Sequence, residues 1–278
     1  VIDETFSSIE LITECLSDTE RTTKLISAIE QVVKPGDIVI DSGTGSTILA
    51  MAAARAGAKK VYALEIDPYV ATLAKENLQA NKLDHVVEVV EVDAREVSLS
   101  KGIHADVVIM EMLTTGMIDE HQVITMNRLH ERGLITKETR FMPRRQDTYV
   151  ALTNKNFEAF GFIFRMVRHL WSWLPNNGLE FLSEKVLLNS ISFDVINPTE
   201  CKEKVSFVAL KEGVVNSVHF SSKTILNDEL ELGDTLALNA PVAFPLPKDI
   251  VVKNGETIGL EIGYIFGGGY WNVTIEQV

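Results

Sequence analysis

From Asp37 to Leu49 the chain reads Asp-Ile-Val-Ile-Asp-Ser-Gly-Thr-Gly-Ser-Thr-Ile-Leu, and few folds accommodate such a run. Residues 38–40 have the pattern of a buried strand. They lead into Asp41 and a glycine turn, and a helical pattern begins at about Gly45. Gly43 and Gly45 remove side chains where the backbone must turn sharply and approach a ligand. Free amides at the start of the following helix would receive a polar or anionic group. The next strand, residues 60–64, ends at Glu65. An acid about 20 residues beyond a glycine turn is the usual partner of a ribose diol. The order strand, turn, helix, strand, acid predicts a nucleoside-binding βαβ unit.

A dinucleotide fingerprint would place glycine where this chain has Ile48, and a phosphate loop would need a lysine after Gly45. The run instead resembles motif I of class I S-adenosylmethionine methyltransferases, Asp-x-Gly-x-Gly-x-Gly. Asp41, Gly43 and Gly45 match it, and Thr47 stands where the last glycine is usual. The resemblance implies S-adenosylmethionine as cofactor. It implies contacts from Asp41, Ser42, Gly43, Thr44 and Gly45, from Glu65 and Ile66, and from Asp93 and Ala94.

The rest of the chain supplies the context. Strand patterns at residues 86–92 and 105–110 end at Asp93 and Glu111, and a helix over residues 68–81 separates the second strand from the third. Alternating strands and helices predict a parallel, doubly wound sheet, whose ligands sit at the carboxyl ends of its strands. Asp41, Glu65, Asp93 and Glu111 all occupy such ends. Ahead of the sheet, residues 1–16 read as irregular or weakly helical. Ser17 or Asp18 then caps a helix that Pro35-Gly36 stops. Arg21 lies in that helix's first turn, where the dipole disfavours a cation. Another helix is expected over residues 117–132. From about residue 148 β-type segments dominate, at 149–152, 186–193, 205–210, 214–220, 258–265 and 270–275. The expected class is therefore α/β: a doubly wound Rossmann-like sheet followed by a C-terminal β-barrel or sandwich. The expected divisions are an N-terminal helical segment (1–34), a cofactor-binding unit (35–143) and a β-barrel-like unit (144–278). Residues 165–182 read as two short helices inserted in the last unit. They carry Trp171, Trp173, Leu174 and Phe181, as core or as a self-association surface.

Bulk properties narrow the function. A hydrophobic content of 46% without a long apolar run predicts a globular chain that does not span a membrane. Cys15 and Cys201 make neither a disulfide framework nor a metal cluster, which points to a reducing, cytoplasmic setting. The first residues lack a signal-peptide pattern. The chain opens on Val1 rather than Met, leaving room for residues ahead of it. The net charge of −13 gives no basic field for a nucleic acid, so RNA as a partner is unsupported by charge. The acidity suits a basic protein segment, and equally serves solubility alone.

After the fourth strand the sequence is Glu111-Met-Leu-Thr-Thr-Gly-Met-Ile-Asp-Glu120. Amino-methylating nucleic-acid enzymes carry Asn/Asp-Pro-Pro-Tyr/Phe at this point and cytosine C5 enzymes a Pro-Cys, both absent here. Glu111 and Glu120, nine residues apart, resemble the double-Glu loop of protein arginine methyltransferases. The segment from Cys15 to Arg21 resembles the family's Asp-x-x-Arg, which implies that Arg21 meets the cofactor's carboxylate. Residues 56–62 are also close to the family pattern. The resemblance is strong to about residue 150 and looser beyond it. It implies that Glu111 and Glu120 grip a guanidinium, and that a dimerisation arm lies near residues 165–182, giving a homodimer. Departures accompany it. The family's Thr-His-Trp loop corresponds to residues 237–244, which contain neither His nor Trp. Leu25, Met112 and Thr114 replace an expected Tyr, Trp and Gly. The family's adenine-side acid aligns nearer Arg95 or Glu96 than Asp93. Three readings stand: a methyltransferase acting on protein or another nitrogen acceptor, one acting on RNA or a small molecule, and a non-catalytic cofactor-binding module.

Overall fold

The computed structural model describes residues 8–100, 102–172, 178–236 and 238–278. Two helices open it, α1 (Ile9–Ser17) and α2 (Thr19–Val32). The Asp18 carboxylate accepts the Arg21 amide at 3.1 Å and so caps α2. There follow β1 (Ile38–Ser42), α3 (Ile48–Arg55), β2 (Lys60–Glu65), α4 (Pro68–Ala80), β3 (Val87–Glu91), β4 (Val107–Met110), α5 (Gln122–Glu131) and β5 (Arg140–Met142). The five strands pair in parallel in the order β3-β2-β1-β4-β5. The order reverses at β1, which places the ligand crevice between the carboxyl ends of β1 and β4.

Alternation along the strands buries both faces of the sheet. Val39, Val61, Val107 and Ile109 pack with Leu25 and Ile29 of α2 and Ala50 of α3. Ile40, Leu64, Val108 and Met110 face the other way, toward Val123, Met126 and Leu129 of α5. That second cluster runs on without a break into the antiparallel half through Met117 and Ile118.

The antiparallel half begins with β6 (Arg145–Lys155), β7 (Glu158–Ala159), β8 (Phe162–Ile163), β9 (Arg168–His169), β10 (Leu179–Phe181) and β11 (Val186–Ser192). It continues with β12 (Glu200–Val208), β13 (Gly213–Ile225), β14 (Glu231–Leu232), β15 (Val242–Val252), β16 (Thr257–Ile265) and β17 (Thr274–Gln277). One sheet runs β10-β6-β13-β15-β9, with β11 on β6 and β14 on β13; a second runs β12-β16-β17. Their inner faces, Val150, Val218 and Phe220 against Phe207, Leu260 and Ile262, share one core, as in a barrel-like sandwich.

Three local expectations need correction. The helix after the glycine turn begins at Ile48 rather than Gly45, because Gly45 (φ +49°) and Thr47 (φ +67°) are left-handed and cannot be helical. The helix expected from Met117 begins at Gln122, because Gly116 and Met117 have φ of +68° and +51°. The short helices expected over residues 165–182 are absent from the described part of that stretch. There Arg168 and His169 pair with β15, and Leu179–Phe181 pairs with β6. Pairing with distant strands overrides local helical spacing. Trp173 and Leu174 lie outside the described residues, and Trp171 stacks on His169 at 5.0 Å.

Candidate active site

A cavity of about 180 Å³ opens at the carboxyl ends of the parallel strands. The glycine turn forms its floor. Gly43 has φ +73°, a conformation that L side chains rarely adopt, and a Cβ there would press on the Met112 side chain at 3.1 Å. Gly43, Thr44, Gly45, Glu65, Ile66, Asp93 and Ala94, all expected from the sequence, line the cavity. Asp41 and Ser42 do not. They are buried behind the turn, where the Asp41 carboxylate accepts the Thr44 hydroxyl at 2.6 Å. Burial pushes the Asp41 carboxyl up to about 7, against the Thr44 hydrogen bond and with the help of Glu65. Its position shapes the turn rather than the cavity wall.

Glu65 ends β2 and is also buried. Its two oxygens accept the Gly45 and Asp67 amides, each at 3.0 Å. One carboxylate thus ties the turn to the head of α4. Asp93 is held in a fork by Arg95, with contacts of 2.7–3.0 Å. Burial raises its carboxyl, but the Arg95 hydrogen bonds, the Arg95 charge and nearby His121 outweigh this and hold it below its ordinary value.

At the other end of the cavity stand Arg21, Glu111 and Glu120. Arg21 is ion-paired with Glu111, and its second amino group donates to the Cys15 carbonyl at 3.1 Å. Glu120 is 7% exposed, and its Oε2 is buried with no hydrogen-bond partner. Burial pushes its carboxyl up to about 8; the Arg21 charge opposes this and Asp119 reinforces it. Thr114 fixes the loop between the two glutamates, its hydroxyl accepting the Asp119 and Glu120 amides at 3.2 and 3.3 Å. The antiparallel half braces the same loop. Gln146 donates to the Thr114 carbonyl at 3.3 Å and Thr115 to the Ala240 carbonyl at 2.6 Å. The Gly267 and Gly269 amides donate to the Met117 and Ile118 carbonyls.

Sequence reasoning missed several wall residues. Leu11, Ile12, Cys15 and Leu16 of α1 cover the cavity, and only the apolar spacing of that stretch hinted at it. Thr235, Leu238 and Asn239 close the side of the antiparallel half, and Asp18 accepts the Leu236 amide at 2.9 Å. Leu238 and Asn239 fall in the segment that stands in place of a Thr-His-Trp loop. His121 and Thr125, at the head of α5, gave no signal of their own.

A parallel sheet with a glycine turn at its switch point, a buried acid at the end of the next strand and two glutamates bracketing the loop after the fourth are the arrangement of a class I S-adenosylmethionine-dependent methyltransferase. Comparison with known proteins agrees. The sequence model of the ribosomal protein L11 methyltransferase (PrmA) family matches residues 18–152. An arginine N(omega)-methyltransferase of Streptomyces achromogenes subsp. streptozoticus is 28% identical over 279 residues, covering 90% of this chain and 74% of that protein. The Trypanosoma brucei PRMT1 enzyme-prozyme heterotetrameric complex with AdoHcy contains a chain of the same fold. Its TM-score is 0.78 at 17% identity, over 99% of this chain and 98% of that one. The uncharacterized protein MJ1452 of Methanocaldococcus jannaschii is 33% identical over 260 residues, covering 94% of this chain and 93% of that protein. The chain belongs to the same family as MJ1452, and its two-part architecture resembles that of the protein arginine methyltransferases. No helix among the described residues is long and apolar enough to cross a membrane.

Proposed function

We propose that this methyltransferase modifies a guanidinium nitrogen, on arginine or an arginine-containing protein, with Glu111 and Glu120 as the acceptor clamp. The observation that carries the reading is Glu120: a buried carboxyl at the cavity with one oxygen unpartnered. A buried acid in that state lacks a donor, and the Arg21 charge only partly offsets its burial; a guanidinium brings donors and further positive charge in a planar fork. That the Streptomyces relative is an arginine N(omega)-methyltransferase favours the same acceptor chemistry.

Glu65 is assigned to the ribose hydroxyls, the backbone of residues 43–45 to the methionine end, and Ile66, Asp93 and Ala94 to the base. Arg21 is assigned to the cofactor's carboxylate, toward which its guanidinium can turn from Glu111. Bound there, S-adenosylmethionine supplies an electrophilic methyl group on a sulfonium. The chain's own work is to orient and to stabilise charge. A guanidinium nitrogen is a poor nucleophile because its lone pair is delocalised. Two carboxylates that hold the positive charge on the other nitrogens leave one nitrogen aimed at the methyl group. The proton released on transfer has a carboxylate within the clamp to receive it.

Residues 35–143 are assigned to cofactor binding, residues 1–34 to its cover and residues 144–278 to the acceptor side. The hairpin of β7 and β8 is assigned to a homodimer contact. Phe160 is 96% exposed and Ile163 74%, with Phe162 and Met166 beside them, exposures that call for a partner surface. The hairpin adjoins residues 165–182, the segment assigned to self-association from the sequence. Two free cysteines suit a reducing, cytoplasmic setting.

The test is methyl transfer from labelled cofactor to free arginine, an arginine-rich peptide and an RNA pool, with the methylated atom located by mass spectrometry. Label on a guanidinium nitrogen is expected. Label on RNA alone would overturn the reading.

A further inference from the structure

Gln122, the first residue of α5, is fully buried. Its side-chain amide spans the point at which β4 gives way to the double-Glu loop. Nε2 donates to the Met110 carbonyl at 2.8 Å, and Oε1 accepts the Met112 amide at 3.0 Å. Met110 and Met112 flank Glu111, so one side chain holds the backbone on both sides of it. The ladders that fix β4 stop short of this point: pairing with β1 ends at Met110 and pairing with β5 at Ile109. A glutamine amide offers the same donor and acceptor as a peptide group, so it extends the ladder by one residue in place of a strand.

Without Gln122, the Met110 carbonyl and the Met112 amide would have to find other partners or lie unsatisfied. Glu111 would then hang from a free strand end, steered only by its ion pair with Arg21. The clamp requires two carboxylates to meet one planar group, and Thr114 already holds the Glu120 side of the loop. Helix propensity alone gives no reason for a fully buried glutamine at this position, since its polar head must be desolvated.

We propose that Gln122 is a positioning residue for methyl transfer: by bridging Met110 and Met112 it sets the backbone of Glu111, and through it the direction of one arm of the acceptor clamp. This rests on the assignment of Glu111 to the clamp.

The test is a double-mutant cycle of Glu111→Gln and Gln122→Met in single-turnover methyl transfer to arginine, with cofactor affinity and thermal unfolding measured on each variant. Gln122→Met is expected to slow transfer roughly ten- to hundredfold, as misplacement of a reacting group does. In the Glu111→Gln background the same substitution should slow it no further, because residues acting as a unit are non-additive. Additive losses would indicate a general structural role and overturn the proposal. Transfer by Gln122→Met at the wild-type rate, with Glu111→Gln slow, would overturn it while leaving the clamp intact. Wild-type transfer by Glu111→Gln would instead refute the clamp itself. If Gln122→Met does not fold, Gln122→Glu keeps the acceptor for Met112 and loses the donor to Met110, and the cycle is read with it by the same criteria.

Discussion

Replacing Glu120 with glutamine should stabilise the free protein at alkaline pH, and the size of the effect follows from burial. The ordinary glutamate value is 4.5, and burial raises that of Glu120 to about 8. Across that interval the folded protein retains a proton that the unfolded chain has released. Stability therefore falls as pH rises, by about 1.4 kcal/mol per pH unit while the difference persists. The accumulated loss has a ceiling of roughly 5 kcal/mol once the pH exceeds the folded-state value. Glutamine does not ionise, so Glu120→Gln removes this slope, and it relieves the Cys15 thiol and the Tyr270 phenol of the part of their upward shift that the Glu120 charge supplies. Urea unfolding of both proteins across the interval should give curves that nearly coincide at the acid end and diverge steadily toward the alkaline end, with the variant above. Parallel curves would mean that Glu120 ionises as freely as an exposed acid, and the argument from its burial would fail. The same proton links acceptor binding to pH. In the proposed clamp an arriving cation would add positive charge beside Glu120 and lower its carboxyl. Wild-type kcat/KM should accordingly climb toward a limb near pH 8, and the variant should lack that limb.

Two further outcomes are expected. Glu65→Ala should weaken cofactor binding by about 1.5–3 kcal/mol, roughly ten- to hundredfold, since a charge-assisted contact is lost; unchanged affinity in calorimetry would remove Glu65 from the ribose site. Wild type should sediment as a dimer at micromolar concentration and a Phe162→Asp, Ile163→Asp variant as a monomer, whereas a monomeric wild type would refute the hairpin contact.

The parts of this molecule legible in the sequence are those fixed by local chemistry. The Gly43 turn, the acid of Glu65 and the alternating strands each follow from rules that act within a few residues, and they predict the parallel sheet and its crevice. The double-Glu spacing likewise marks the loop that reaches the cavity. What escapes is set by contacts distant in sequence. β15 leaves no continuous strand pattern in the sequence because Pro245 and Pro247 interrupt it, yet the strand pairs along β13 despite them. Strands of two or three residues, β9 and β10, have no period of their own and exist through β15 and β6. Asp41 belongs to a motif whose glycines line the cavity, but its side chain turns inward to Thr44. The cover of α1 and the bracing by Gln146 and Thr115 become visible only once the chain is folded. A polar residue at the head of a helix, such as Gln122, gives no hint in the sequence that it spans the end of a strand.

The assignment of Glu111 and Glu120 to the acceptor, rather than to the fold or the cofactor, underlies the proposed function. It is tested most directly by single-turnover methyl transfer to arginine with wild type, Glu111→Gln and Glu120→Gln, each saturated with S-adenosylmethionine and each assayed for cofactor affinity. Both variants are expected to transfer about a hundred- to thousandfold more slowly, as when a transition-state electrostatic contact of about 2.7–4 kcal/mol is removed. Glu120→Gln should bind the cofactor as wild type does. Transfer at the wild-type rate by Glu120→Gln, with the cofactor bound, would contradict the account.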